Sequence, residues 1–267
     1  MNFDYAVMGN PIAHSLSPRI HQFFAEQFGI KLKYEKILID LPNFEQQVID
    51  FFEQGGKGLN ITLPCKERAF AMANRAYSRA LIARSANTLW MQGGELNADN
   101  TDGVGLVRDL KRYIELSGKS ILILGAGGAT RGILGELLAE NPLKLTIANR
   151  SFNKIEELQL EFPKISICLV CDLAKDIEKN TYDLVINATS ASLKGERLAI
   201  PETLMINKPF CYDLAYIKDS DTLFVTWAKS FKCEAHDGVG MLLEQAAESF
   251  FIWHNLRPNI ENILRVR

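Results

Sequence analysis

Residues with the chemistry to bind or react form three sets in this chain of 267 residues. The first is a glycine turn, Gly125-Ala-Gly-Gly-Ala129, which follows Ser120-Ile-Leu-Ile-Leu124 and leads into a helix-forming stretch, 129–140. Glycine permits backbone angles and close approaches that a Cβ blocks. Amides at a helix start face an anion with the positive end of the helix dipole behind them. A dinucleotide pyrophosphate is the natural guest, and Thr130 stands where a third glycine or alanine usually packs helix on strand. The alternative is a strand-to-helix turn that binds nothing. The second set, Asn149-Arg150-Ser151 with Lys154, lies at the end of the next strand. A carboxylate there would accept from a ribose 2′-hydroxyl, whereas arginine, a hydroxyl and a second cation suit a 2′-phosphate. That set predicts NADP, unless Ser151 only caps a helix whose cations are solvated. The third set is dispersed. Ser15 and Ser17 are two apart in an extended loop and able to face one carboxylate, unless Ser17 serves only as a helix cap. Asn60, Thr62, Lys66, Asn87, Asp102 and Gln245 fall at or near element ends. Each has an ordinary alternative: a wet strand face for Asn60 and Thr62, a surface position for Lys66, a turn for Asn87, an N-cap for Asp102.

Elements must hold these residues. Residues 5–8 read as a strand ended by Gly9-Asn-Pro11, and Ser17-Pro18 as N-cap and first helical position of a helix running to about Phe28. Residues 32–39 read as a strand and 42–54 as a helix with Phe44, Val48, Phe51 and Phe52 inward. In the strand 58–62, Leu59 and Ile61 share one face and Asn60 and Thr62 the other. Pro64 opens a helix whose first turn holds Lys66, a poor place for a cation on dipole grounds, and helical pieces continue to Ala83. Strands 86–91 and 95–98 form a hairpin around Gly93-Gly94. Asp102 caps a helix over 103–116, which Gly118 ends. Strands at 121–124, 143–148, 165–170, 183–188 and 210–214 then alternate with helical stretches, which predicts a doubly wound parallel sheet. A helix at 222–231, a short strand at 233–235 and a long helix from Gly240 to about His254 complete the chain. In that last helix Gln245 interrupts an apolar stripe of Leu242, Ala246, Ser249 and Trp253.

Composition narrows the partners. With 47% hydrophobic and 23% charged residues and a formal net charge of −2, the chain is ordinary for a globular protein and offers no field to attract nucleic acid or anionic lipid. Small-molecule partners are favoured. No uncharged apolar run reaches the ~18 residues of a membrane span, and Met1-Asn-Phe-Asp4 lacks a basic region followed by an apolar one, so a cytoplasmic protein is expected. Five scattered cysteines do not suggest a secreted disulfide framework. Cys168 and Cys171 make a lone C-x-x-C, and three apart on a strand they would point to opposite faces, so no metal is expected.

Successive patches resemble the motifs of the shikimate dehydrogenase family. They are Gly9-Asn-Pro-Ile-Ala-His-Ser-Leu-Ser-Pro18, Gly58-Leu-Asn-Ile-Thr-Leu-Pro-Cys-Lys66, Ala86-Asn-Thr88, Asp99-Asn-Thr-Asp-Gly103, Gly125-Ala-Gly-Gly-Ala129, Asn149-Arg150, Asn187-Ala-Thr-Ser190, Tyr212-Asp213 and Asp237-Gly-Val-Gly-Met241. The order matches and nearly the whole chain is covered. The resemblance implies a two-domain α/β enzyme: an N-terminal substrate domain, 1–102 plus 239–267, and a Rossmann-type NADP-binding domain, 103–238, with the active site in the cleft between them. It implies reversible NADPH-dependent reduction of 3-dehydroshikimate to shikimate, on the route to chorismate and the aromatic amino acids, by a monomer or homodimer. By the match, Lys66 and Asp102 form the catalytic pair. Ser15 and Ser17 hold the substrate carboxylate, Asn60, Thr62, Asn87, Asp102 and Gln245 hold ring hydroxyls, and Tyr216 lies near the substrate. Gly125, Ala126, Gly127, Gly128, Ala129, Asn149, Arg150, Ser151, Lys154, Thr189, Leu214 and Gly238 meet the cofactor. Ser192 stands where the family usually has glycine, and 217–224 lacks the usual proline before the phenylalanine. The alternatives are a quinate/shikimate dehydrogenase using NAD, against which Arg150 and the two serines speak, and a regulator of the same fold that senses a nucleotide or metabolite without turnover. The retained Lys66 and Asp102 speak against the regulator.

Overall fold

The computed structural model describes residues 4–264. Residues 1–3 of the N-terminal stretch read for a leader, and 265–267 of the expected substrate domain, lie outside the described residues. The chain divides into two compact units, 1–105 with 242–267, and 106–241.

The first unit is built on β1 (Tyr5–Gly9), α1 (Ser17–Gln27), β2 (Tyr34–Leu38), α2 (Phe44–Glu53), β3 (Gly58–Ile61), α3 (Lys66–Met72), β4 (Arg75–Ala76), α4 (Ser78–Ala83), β5 (Thr88–Gln92) and β6 (Glu95–Asp99). The sheet order is β2-β1-β3-β5-β6-β4. β1 pairs in parallel with β2 and β3, and the β5–β6 hairpin adds antiparallel strands beside β3. Leu59 and Ile61 enter a core with Phe44, Val48 and Phe51, while Asn60 takes the other side of β3, as strand alternation requires. α5 (Asp102–Leu110) crosses the division of the chain.

A second layer of this unit is aromatic. His21 is 1% exposed, lies flat against Tyr34 with centroids 4.5 Å apart, and neither ring nitrogen has a hydrogen-bond partner. Burial first, then the nearby His254, hold its pKa at about 3. Above pH 6.5 the imidazole is neutral whether the chain is folded or not. Below that, the unfolded chain takes a proton that the fold refuses until about pH 3, so stability is lost as pH falls through this window. His21→Phe keeps the ring contact and removes the site. Its urea midpoint should decline less than the wild type's between pH 6.5 and about pH 4; parallel declines would place the acid sensitivity elsewhere.

The second unit contains β7 (Ser120–Leu124), α6 (Gly128–Ala139), β8 (Lys144–Asn149), α7 (Phe152–Glu161), β9 (Ser166–Leu169), α8 (Leu173–Ile177), β10 (Leu184–Asn187), β11 (Phe210–Asp213), α9 (Leu223–Ser230) and β12 (Ala235–His236). All its strands are parallel, in the order β12-β11-β10-β7-β8-β9. This is a doubly wound sheet with its switch point beside β7. Ile121 and Ile123 enter one core and Leu122 and Leu124 another, which is why an unbroken apolar run reads as a strand covered on both faces. α10 (Val239–His254) returns the chain to the first unit, and α11 (Glu261–Leu264) follows.

Local readings need correction in several places. Ser17 is not the cap of α1: Leu16 holds that position without a side-chain bond, and Ser15 Oγ accepts the Ser17 amide at 3.3 Å. Asp102 is the first residue of α5 rather than its cap, its carboxylate accepts from Lys66 and Asn87, and Asn100 Oδ1 accepts the Asp102 amide at 3.0 Å. α5 stops at Leu110 rather than Leu116. There the bonds tighten to three-residue closures, Arg112 to Asp109 and Tyr113 to Leu110, and Tyr113 leaves the helical path to stack on His236. The helix expected from Pro64 starts at Lys66, and β4 interrupts the run to Ala83 by pairing with β6. Cys171 is not on a strand with Cys168 but in the 3₁₀ turn Val170–Asp172.

Candidate active site

Lys66 is the first residue of α3. Its Nζ donates to Asp102 Oδ2 at 2.6 Å, with side chains 24% and 11% exposed. This carboxylate offsets the unfavourable helix dipole at that position. The other oxygen of Asp102 accepts from Asn87 Nδ2 at 2.8 Å. Asn87 stands just before β5, where its oxygen accepts from the Thr101 amide at 2.9 Å and so fixes which way the amide faces. Gln245 Oε1 accepts from the same Asn87 nitrogen at 3.2 Å. α10 can bring Gln245 this close because α5 has glycine at 105: a Cβ there would lie 2.7 Å from that of Gln245. Lys66, Asn87, Asp102 and Gln245 are therefore one cluster.

Asn60 is committed at both ends. Its Oδ1 accepts from the Tyr34 hydroxyl at 2.7 Å, and its Nδ2 donates to Asn87 O, Ser249 Oγ and Thr88 Oγ1 at 3.0, 3.1 and 3.3 Å. Ser15 Oγ donates to Ser17 Oγ at 3.2 Å, so the two hydroxyls do converge. Thr62, half-buried, follows β3 with its methyl packed where a Gly9 side chain would otherwise be.

In the second unit β7 breaks at Gly125, whose φ of +103° favours glycine and whose absent Cβ would lie 3.2 Å from Ala188 O. Thr130 is fully buried and donates to Gly125 O at 2.8 Å. It thus closes the turn with a hydrogen bond where a glycine would close it by packing. Over Gly127 and Gly128 nothing lies within 4 Å of a built Cβ, so the twelve-residue α6 presents an open N-terminus of the kind that takes phosphate. At the end of β8, Asn149 Nδ2 donates to Ser151 O at 3.0 Å. Ser151 is the N-cap residue of α7, yet its hydroxyl makes no cap bond. Arg150 and Lys154 are exposed and form no ion pair among the described residues. These groups fit a phosphorylated ribose: both cations and the hydroxyl are unspent.

Thr189, Leu214 and Gly238 follow β10, β11 and β12. Gly238 N donates to Ala215 O at 3.1 Å, and a Cβ at Gly238 would strike Leu214 O. The buried Asp213 ties these segments together. It accepts from Asn187 Nδ2 at 3.0 Å, Ser192 Oγ at 2.6 Å, Thr222 Oγ1 at 2.7 Å and Ala215 N at 3.1 Å. Burial raises its pKa and those donors pull it back. Ser192 in place of glycine, and Thr222 capping α9 in a segment without the proline, both serve this carboxylate. Tyr216 is half-buried in the second unit, where burial raises its pKa.

Sequence reasoning missed Tyr34, Thr101 and Ser249 as partners of these residues. Ser249 carried a signal, a hydroxyl one turn beyond Gln245 on an otherwise apolar stripe; Tyr34 carried none. A depression of about 490 Å³ beside Tyr113, Asp183, Lys208 and Phe210 contains none of the expected residues. It lies at the amino ends of β10 and β11, whereas ligands of such sheets bind at the carboxyl ends. No group of three or more His, Cys, Asp and Glu placed to hold a metal occurs among the described residues, and no helix there is long and apolar enough to cross a membrane.

A parallel sheet of Rossmann order, a glycine turn opening a helix at its switch point, and a second α/β unit define a two-domain dinucleotide-binding α/β protein. Three family models match the chain: a shikimate dehydrogenase substrate binding domain over 7–89, a shikimate/quinate 5-dehydrogenase over 108–216, and a shikimate 5′-dehydrogenase C-terminal domain over 238–266. A shikimate dehydrogenase (NADP(+)) of Legionella pneumophila (strain Lens) is 55% identical over 97% of this chain and 96% of its own. The crystal structure of an Ael1 enzyme from Pseudomonas putida superposes with a TM-score of 0.91 at 40% identity, covering 98% and 97% of the two chains. That of a Thermus thermophilus shikimate 5-dehydrogenase in complex with NADP(H) and shikimate gives 0.86 at 30% identity, covering 96% and 94%. The chain belongs to the shikimate dehydrogenase family.

Proposed function

We propose that the protein catalyses the reversible, NADP-dependent interconversion of shikimate and 3-dehydroshikimate. The observation that carries this reading is the Lys66–Asp102 pair, 2.6 Å apart and braced by Asn87, in a chain of this family. Residues 1–102 and 239–267 form the substrate-binding domain. Ser15 and Ser17 present neutral donors to the substrate carboxylate, and Thr62, Asn87, Asp102 and Gln245 line the ring hydroxyls with Asn60 behind them. Lys66 has N–H groups beyond the one given to Asp102. In the reducing direction it delivers a proton to the carbonyl oxygen; in the oxidising direction the pair takes the proton from the hydroxyl oxygen. Asp102 keeps the ammonium aimed and balances its charge. Residues 103–238 form the NADP-binding domain: Gly125, Ala126, Gly127, Gly128 and Ala129 cradle the pyrophosphate, and Asn149, Arg150, Ser151 and Lys154 the 2′-phosphate. Thr189, Leu214 and Gly238 border the nicotinamide, with Tyr216 toward the substrate. The chemistry that NADP supplies when bound is hydride exchange with the substrate carbon. The protein works in the cytoplasm on small molecules, as a monomer or homodimer.

A matrix of shikimate and quinate against NADP and NAD, scored by kcat/KM, tests the reading. Shikimate with NADP should lead every other pair. Preference for quinate or NAD would favour a quinate/shikimate dehydrogenase, and NADP binding without turnover of either acid would favour a regulator.

A further inference from the structure

We infer that Thr88 is a positioning residue whose hydroxyl, with its proton aimed by Ser249, holds the Asn87 amide with its nitrogen toward Asp102. This rests on the function proposed above. Thr88 begins β5, faces Asn60 across the pairing of β3 with β5, and is fully buried.

An ionised carboxylate only accepts hydrogen bonds, and the two ends of an asparagine amide differ in that one donates and the other accepts. Turned over, Asn87 would present its oxygen to Asp102 and lose the 2.8 Å bond that braces the Lys66–Asp102 pair. What holds the amide the right way round is therefore a set of donors on its oxygen. The Thr101 amide is one, at 2.9 Å. The Thr101 hydroxyl does not choose between the ends, because it lies 2.9 Å from the Asn87 nitrogen and 3.2 Å from the oxygen. Thr88 Oγ1 is the second, at 2.8 Å.

A hydroxyl selects the amide oxygen only when its proton points there, since it can also accept. Ser249 sets that direction. Its Oγ lies 2.7 Å from Thr88 Oγ1 and 3.1 Å from Gln245 O. If Thr88 gave its proton to Ser249, Thr88 Oγ1 and Asn87 Oδ1 would stand 2.8 Å apart with no proton between them. With Ser249 donating to Thr88, both short contacts carry a proton, and only the longer contact to Gln245 O goes unused. Asn60 Nδ2, which can only donate, meets the accepting side of Ser249 at 3.1 Å and of Thr88 at 3.3 Å. The hydrogen bonds run from Ser249 to Thr88 to Asn87, and from the other end of Asn87 to Asp102.

Thr88→Val keeps the branched shape and removes the hydroxyl. Its neighbours keep partners: Asn87 Oδ1 has the Thr101 amide, Asn60 has Asn87 O and Ser249, and Ser249 turns to Gln245 O. The variant should lose about tenfold in kcat/KM for shikimate with NADP, the size of one buried hydrogen bond, while the NADP KM stays within about twofold. Thr88→Ser and Thr88→Ala both lack the methyl and differ in the hydroxyl alone. They should separate by a similar factor, with the serine variant within about threefold of wild type. On an Asn87→Ala background Thr88→Val should cost less than about twofold, because its effect passes through that amide. A serine variant as impaired as the alanine one makes Thr88 a packing residue and overturns the inference. A loss of about tenfold that persists without Asn87 gives Thr88 another route and overturns it also. A valine variant as active as an active wild type overturns the inference and leaves the proposed function standing. A wild type inactive on shikimate would overturn both.

Discussion

Lys66→Ala should lower kcat for shikimate oxidation by roughly 10²- to 10⁴-fold, the usual range for loss of a positioned proton-transfer group, while the shikimate KM stays within about threefold. The expectation follows from how little else Lys66 does. It opens a seven-residue helix at the end that disfavours a cation, so the helix does not need it. Its side chain bonds to Asp102, and that carboxylate keeps Asn87 when the lysine goes. In the proposed site the substrate's carboxylate is held elsewhere, by the Ser15 and Ser17 hydroxyls, so binding should survive in the variant. Steady-state measurement of both constants decides the matter. A loss confined to KM would make Lys66 a binding residue, and kcat within tenfold of wild type would remove it from the chemistry.

The second large effect belongs to the other end of the cofactor. Arg150→Ala should raise the KM for NADP by roughly ten- to a hundredfold, as expected for a charge-assisted bond to phosphate, and change that for NAD by less than about twofold. Arg150 is exposed and has no ion pair among the described residues, so its removal costs the fold little. The discrimination arises because the two cofactors differ only in the 2′-phosphate that guanidinium grips. Equal weakening of both would move Arg150 to the pyrophosphate. No weakening of NADP would leave Lys154 and the unspent Ser151 hydroxyl as the selective groups.

Much of this was legible in the sequence, for definite reasons. The run of Ile121 to Leu124 can only be a strand buried on both faces, and glycines directly after it can only be a turn, so the dinucleotide unit is written in local pattern. Helix ends were harder. Ser17 has the right type and neighbour for an N-cap, but Leu16 takes that position and Ser17 is the first helical residue; Asp102 likewise is the first residue of α5 rather than the one before it. Which residue of such a stretch becomes the cap is settled by backbone angles, which residue type does not encode. The end of α5 depended on Tyr113 finding His236 and Phe210 far along the chain. Within the proposed site, motif order placed Lys66, Asn87, Asp102 and Gln245, and the structure brings them into one cluster. It could not place Tyr34 or Thr101, whose importance lies in partners from other elements. Ser192 and Thr222 read as departures from a family pattern, yet together they satisfy the buried Asp213.

The return of α10 to the first unit has a consequence for how the protein is made. Asn60 and Thr88 meet Ser249, and Asn87 meets Gln245, across 189, 161 and 158 residues respectively. The second unit is continuous in sequence and can assemble while the ribosome is still at work, as contiguous domains do. The first unit begins emerging earlier but is completed later, because its buried polar network has no Ser249 or Gln245 until almost the whole chain has been synthesised. During that interval Asn60, Thr88 and Asn87 lack Ser249 and Gln245, so the unit translated first is the last to be completed.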